Sequence, residues 1–149
     1  MMNRMEDETQ PAEAIDGTRI VEHTADWALY VTGRDLAELF RRAAVGMARL
    51  LAGAEAVIAP EETRAITLDS YDTESLLVEW LGELAYWAER DELVFPQVEM
   101  REVTATHLDA VVHGGRPPEM QKNIKAVTYH DLAIRPASDG LEVTIVFDV

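Results

Sequence analysis

The spacing of apolar residues changes period along the chain, and each change marks an element. Leu36, Leu39, Phe40, Ala43, Met47, Leu50 and Leu51 recur at intervals that place them on one stripe of an α-helix. Asp35 followed by Glu38 has capping-box spacing and Gly53 stops the pattern, so a helix is predicted between them. A second helix is predicted over residues 73–90, with Leu76, Leu77, Trp80, Leu81, Leu84 and Trp87 as its stripe. Elsewhere the period is two. Residues 18–32 read as strand, interruption at 23–26, and strand; residues 63–68, 93–95, 98–103 and 108–113 read as further short strands. At the end of the sequence, residues 124–131 alternate, 136–140 reverse the chain through Pro136 and Asp139-Gly140, and Leu141, Val143, Ile145, Phe147 and Val149 share one face of a last strand. Two amphipathic helices with six or seven strands on short connections predict an α+β fold, a two-layer sandwich of a mostly antiparallel sheet with two main helices.

Composition narrows the function classes. A chain of 149 residues that is 48% hydrophobic suits a single domain with its own core, predicted over residues 18–149. Residues 1–17 carry Glu6, Asp7, Glu8, Glu13 and Asp16 without an apolar run, which predicts a disordered acidic tail and excludes a secretory signal there. The net charge of −15 repels a phosphate backbone, so direct binding to nucleic acid is disfavoured and a cation or a basic partner fits better. With no cysteine there are no disulfides, thiolate metal sites or cysteine nucleophiles, a composition compatible with the cytoplasm. No apolar run approaches a membrane span.

Candidate chemistry is dispersed over strand ends. His23, Thr24 and Asp26 fall in the interruption of the first strand pair, Lys125 and His130 in the strand before the final turn, and Asp148 beside Val149. If Asp26 and Asp148 lie on neighbouring strands, their carboxylates and the terminal oxygens of Val149 make an all-oxygen set, which suits Ca²⁺, Mg²⁺ or Mn²⁺ rather than Zn²⁺. Lys125 competes with a metal as an internal counter-ion. Each residue also has a plainer reading: a lone histidine in a strand is commonly a packing residue, and Thr24 and Asp26 can satisfy local main-chain donors. Glu79 and Glu83, four apart without a histidine, read as an exposed acidic face, and Arg41, Arg42 and Arg49 as a solvated basic one. Gly114-Gly115 reads as a mobile loop, since neither the context nor the Lys-Ser or Lys-Thr ending of a phosphate loop is present. No hydrolase triad, zinc helix or kinase motif appears.

His23-Thr24-Ala25-Asp26, Leu76-Leu77-Val78-Glu79-Trp80-Leu81, Ile124-Lys125-Ala126-Val127-Thr128-Tyr129-His130 and Val146-Phe147-Asp148-Val149 together resemble the signature blocks of the archease family, in order, across residues 18–149. Trp27 departs from that pattern, where a smaller aliphatic residue is expected after Asp26. The resemblance implies an accessory factor, not an enzyme. Such a factor activates the RtcB-type RNA ligase, promoting its guanylylation and multiple turnover in tRNA splicing and RNA repair, and meets RNA and GTP only through the ligase. By the same resemblance Asp26, Asp148 and Val149 are the ligands of a divalent metal ion (calcium, with magnesium or manganese as alternatives), and Lys125, His130 and His23 form the functional cluster. The alternative is a cation-binding structural or regulatory module unrelated to RNA ligation. An autonomous metal-dependent phosphotransferase or hydrolase has no nucleophile or base positioned by a motif.

Overall fold

Both helices begin where an aspartate caps them. In the computed structural model, which describes residues 17–22 and 26–149, α1 spans Leu36–Ala52 and α2 spans Thr73–Asp91. The Asp35 carboxylate accepts the Glu38 N–H at 2.9 Å, and the Asp72 carboxylate accepts that of Ser75 at 2.8 Å. Each cap satisfies a donor that the first helical turn leaves free. The return bond of the capping box is displaced by one residue: Glu38 accepts the N–H of Arg34, at 2.8 Å.

The predicted stripes are buried except for Leu36 and Trp87, which are partly so. Leu39, Phe40, Met47, Leu50 and Leu51 of α1 and Leu76, Leu77, Trp80, Leu81 and Leu84 of α2 lie in the core. Trp80 donates its indole N–H to the Phe40 carbonyl at 2.9 Å, so its one polar atom is satisfied where the ring is wholly enclosed.

Eight strands complete the described chain: β1 Thr18–Glu22, β2 Asp26–Gly33, β3 Glu62–Asp69, β4 Val94–Val103, β5 His107–Gly115, β6 Ala126–Val127, β7 Arg135–Ala137 and β8 Gly140–Asp148. They divide over two antiparallel sheets, one ordered β1-β2-β8-β6 with β7 also on β8, the other β3-β5-β4. Helix α1 packs on β2 and β4, and α2 on β3, β4 and β6, so each helix touches both sheets. The α+β class, the two main helices and the antiparallel pairing are as predicted. The division into two sheets depends on long-range pairing that local pattern does not contain.

The strands expected on either side of residues 23–26 are present as β1 and β2, which pair from Thr18–Val31 to Glu22–Trp27, with Asp26 already in β2. Two local expectations are corrected. Gly114 and Gly115 end β5 and are not a loop; a Cβ on Gly114 would fall on the main-chain oxygen of Val94 and within 2.6 Å of the Phe95 Cα, so the glycine permits close approach of β4. The strand expected over residues 124–131 is only Ala126–Val127. Beyond it the Thr128 N–H and hydroxyl both reach the Val146 carbonyl at 3.0 Å, Leu132 donates back to the Tyr129 carbonyl at 3.1 Å, and Asp131 takes φ 50°. The reversal before β8 is a tight turn at Ser138 and Asp139, closed by Gly140 at φ 149°.

Residues 1–16, which hold nearly all of the acidic tail, and His23 and Thr24 lie outside the described residues. Among the described residues no helix is long and apolar enough to cross a membrane.

Candidate functional site

The register between β2 and β8 builds the site. It sets Asp26 directly opposite Asp148 as the last pair of the ladder, with Trp27 opposite Phe147 next to it. Phe147 is fully buried. Alternation along a strand therefore turns Phe147 and Trp27 inward and Asp26 and Asp148 to the outward face. On the other side of β8, Ala126 pairs with Asp148, and the Lys125 N–H donates to the Asp148 carbonyl at 2.7 Å. Val149 follows at once, its side chain packed against the core.

The structure thus brings Asp26, Asp148, Lys125 and Val149 to one end of the five-stranded sheet. His130 is placed elsewhere: it stands in the turn four residues past Ala126, its imidazole 3.3 Å from the Asp131 carboxylate and its N–H on the Thr128 hydroxyl. His23 falls outside the described residues.

Like charges directly across an antiparallel pair repel. Among the described residues neither Asp26 nor Asp148 has a side-chain ion pair or hydrogen bond, and the exposed Lys125 ammonium has none either. The arrangement is therefore a carboxylate pair that lacks a counter-charge, with a free ammonium on the adjoining chain. Its chemistry is that of hard oxygen donors, which fits a divalent cation of the calcium and magnesium type. Among the described residues no three His, Asp or Glu side chains gather to hold a metal ion.

Lys122 is a neighbour that sequence reading did not connect to the site. Its Nζ lies 4.3 Å from the centre of the Trp27 ring, covering the residue after Asp26. No spacing rule links positions so far apart; the unexpected tryptophan was the only signal.

Other polar groups are committed inside the fold. Arg42 donates to the Thr32 carbonyl at 3.0 Å and lies 3.3 Å from the Glu38 carboxylate, and Glu79 accepts from the Ser70 hydroxyl at 3.0 Å. A cleft of about 400 Å³ between the start of α1 and the β7–β8 turn is lined by Tyr30, Arg34, Glu38, Arg42 and Glu142. Another, of about 570 Å³, surrounds Arg64, Arg90 and Arg116. Neither is lined by Asp26, Lys125, Asp148 or Val149.

Residues 19–149 match the model of the archease protein family (MTH1598/TM1083). The protein archease of Methanosarcina acetivorans is 36% identical, over 87% of this chain and 93% of its own. That of Sulfurisphaera tokodaii is 31% identical, over 86% and 95%. The solution structure of Methanobacterium thermoautotrophicum protein 1598 superposes with a TM-score of 0.72 at 26% identity, covering 91% of this chain and all of that one. The crystal structure of an archease from Thermotoga maritima shares the fold, with a TM-score of 0.62 at 21% identity over 87% and 94%. By sequence over nearly all of the described residues, and by fold, the chain belongs to the archease family.

Proposed function

We propose that this protein is an accessory activator of an RtcB-type RNA ligase, promoting guanylylation of the ligase and its multiple turnover in tRNA splicing and RNA repair. The observation that carries the reading is the facing pair Asp26 and Asp148, with Lys125 fastened to the Asp148 main chain at 2.7 Å. A carboxylate pair of this kind at the end of a sheet, with Asp148 exposed, can enter a partner's site. The Thermotoga maritima archease is called a possible chaperone, a description that points to work on another protein.

In this reading Asp26, Asp148 and the main-chain oxygens of Val149 hold a divalent cation, calcium, magnesium or manganese. When bound, the cation supplies positive charge toward nucleotide phosphate. Lys125 adds a second positive group for phosphate and limits the repulsion between the carboxylates. The net charge of −15 keeps RNA off the rest of the surface, so RNA and GTP are met through the ligase, in the cytoplasm.

The test is multiple-turnover ligation by a matched RtcB-type ligase with GTP and divalent metal, with and without substoichiometric protein. Stimulation beyond a single turnover is expected, and its loss in a folded Asp148→Ala variant. Stimulation by Asp148→Ala equal to that of the wild type would refute the role given to the carboxylate tip. Failure of the wild-type protein to stimulate a competent ligase would favour a cation-binding regulatory module instead.

A further inference from the structure

Residues 121–125 form a strap from the end of α1 to the carboxylate tip. Its first anchor is the Leu51 carbonyl, in the last turn of α1, which accepts the N–H of Gln121 at 2.6 Å and that of Lys122 at 3.3 Å. Carbonyls of the last turn have no partner within the helix, so the strap satisfies one of them. Ile124 is buried in the core, and Lys125 ends the strap on the Asp148 carbonyl at 2.7 Å.

Between these anchors the Lys122 ammonium lies 4.3 Å from the centre of the Trp27 ring, within the range where the negative face of an indole attracts a cation. Trp27 is adjacent to Asp26 in β2 and opposite Phe147, the neighbour of Asp148, in β8. One side chain therefore ties the strap that carries Lys125 to the strand that carries Asp26. Lys125 has no side-chain partner of its own among the described residues, so its place depends on how its main chain is held.

The geometry points to Lys122 as a positioning residue of the tip. Its ammonium on Trp27 fixes the strap in the register that keeps Lys125 beside Asp148. The consequence for ligation rests on the function proposed above; the positioning itself does not.

The experiment is amide hydrogen exchange on the full chain, read at the Lys125 N–H, in the wild type, Lys122→Met, Lys122→Arg, Trp27→Leu and the Trp27→Leu, Lys122→Met double variant. Methionine keeps an unbranched stem over the ring and removes the charge, and arginine keeps a cation. Exchange at Lys125 is expected to quicken about three- to fivefold in Lys122→Met, the factor for a partly exposed cation–π contact. It should return close to the wild-type rate in Lys122→Arg, and Lys122→Met should add nothing in the Trp27→Leu background. The amides of Leu29 and Ile145, paired in the β2–β8 ladder, report the integrity of the fold and should not change. Unchanged protection of Lys125 in Lys122→Met, or failure of arginine to restore it, overturns the inference. The same variants, with Lys125→Ala and Asp148→Ala, are then assayed for ligase stimulation. Looser exchange in Lys122→Met, with no stimulation of a competent ligase by the wild type, upholds the positioning role and refutes the ligase reading. Stimulation lost in Asp148→Ala with Lys125 exchange unmoved in Lys122→Met does the reverse.

Discussion

On the outward face of the three-stranded sheet, polar side chains are answered across the strands; at the end of the five-stranded sheet they are not. His107 and His113 are six residues apart on β5 and so share a face. Each spans both neighbouring strands. His107 lies 2.8 Å from the Asp69 carboxylate on β3 and 3.5 Å from that of Glu102 on β4. His113 lies 2.9 Å from the Thr63 hydroxyl on β3 and 3.2 Å from the Glu99 carboxylate on β4. At the tip, by contrast, two carboxylates face each other with no side-chain partner among the described residues. Acidic residues occur in both places, so their presence alone does not separate a structural cluster from a candidate site. What separates them is whether the fold has supplied the counter-group.

Substitutions that disturb only one of the two regions sharpen this contrast. The largest effect is expected from Gly114→Ala in β5, because the added Cβ meets the Val94 and Phe95 backbone, which has no flexible end to move aside. A loss of about 3 kcal/mol in urea unfolding is expected, the upper part of the range for overpacking. A loss below roughly 1 kcal/mol would show that β4 yields more easily than its packing implies.

Asp148→Ala is expected to act in the opposite way, lowering divalent-cation affinity by about 10- to 100-fold in calorimetric titration, a factor seen when even supporting groups of a metal site are removed. Stability without added cation should hold or rise by roughly 0.5 kcal/mol, since a like-charge pair is relieved. A marked destabilisation would mean that Asp148 has a partner in the fold and would collapse the contrast with the histidine face.

A smaller effect is expected at Tyr30, on the five-stranded sheet away from its tip. Its hydroxyl donates to the Glu142 carboxylate at 2.8 Å, a bond that holds the phenol proton and raises its pKa above the ordinary 10.0. Tyr30→Phe should cost about 1 kcal/mol in chemical denaturation. No cost would imply that this sheet is loosely answered along its length, and the tip would lose its distinction.

Much of this organisation is legible in the chain because it is local. Asp35 and Asp72 sit where the helices start, and the apolar stripes name the buried residues, since both depend on spacing within a few turns. The strand over residues 124–131 is shorter than its pattern because alternation continues to His130 while pairing stops at Val127; the Thr128 hydroxyl donates to a β8 carbonyl and the chain turns away. Gly114 and Gly115 suggested a loop because composition does not reveal that another strand needs the space. For the site, Asp26 and Asp148 were named from the resemblance and from their oxygen donors, but that they are opposite partners depends on β2–β8 pairing across most of the chain. The Lys122–Trp27 contact is likewise a product of packing, and no local rule predicts it.

The smallest expected effect concerns pH. The Asp69 carboxylate accepts a hydrogen bond from His107, and the negative charges of Asp69, Glu102 and Asp109 add to it, so the pKa of His107 lies above its ordinary 6.5 despite some desolvation. The facing groups are Asp69 from β3, Glu102 from β4 and Asp109 from β5 itself. Because the folded protein binds this proton more tightly than the unfolded chain, the interaction contributes fully below 6.5 and is lost as the pH rises through the raised value. The wild type should therefore exceed His107→Gln in stability at about pH 6, with the gap closing toward about pH 8. Solvent screening of so accessible a group keeps the gap small. A gap for His107→Gln that widened with rising pH would mean that the neutral imidazole is the form the sheet prefers. The histidine face would then be held by neutral hydrogen bonds, and the contrast with the tip would no longer be one of answered and unanswered charge.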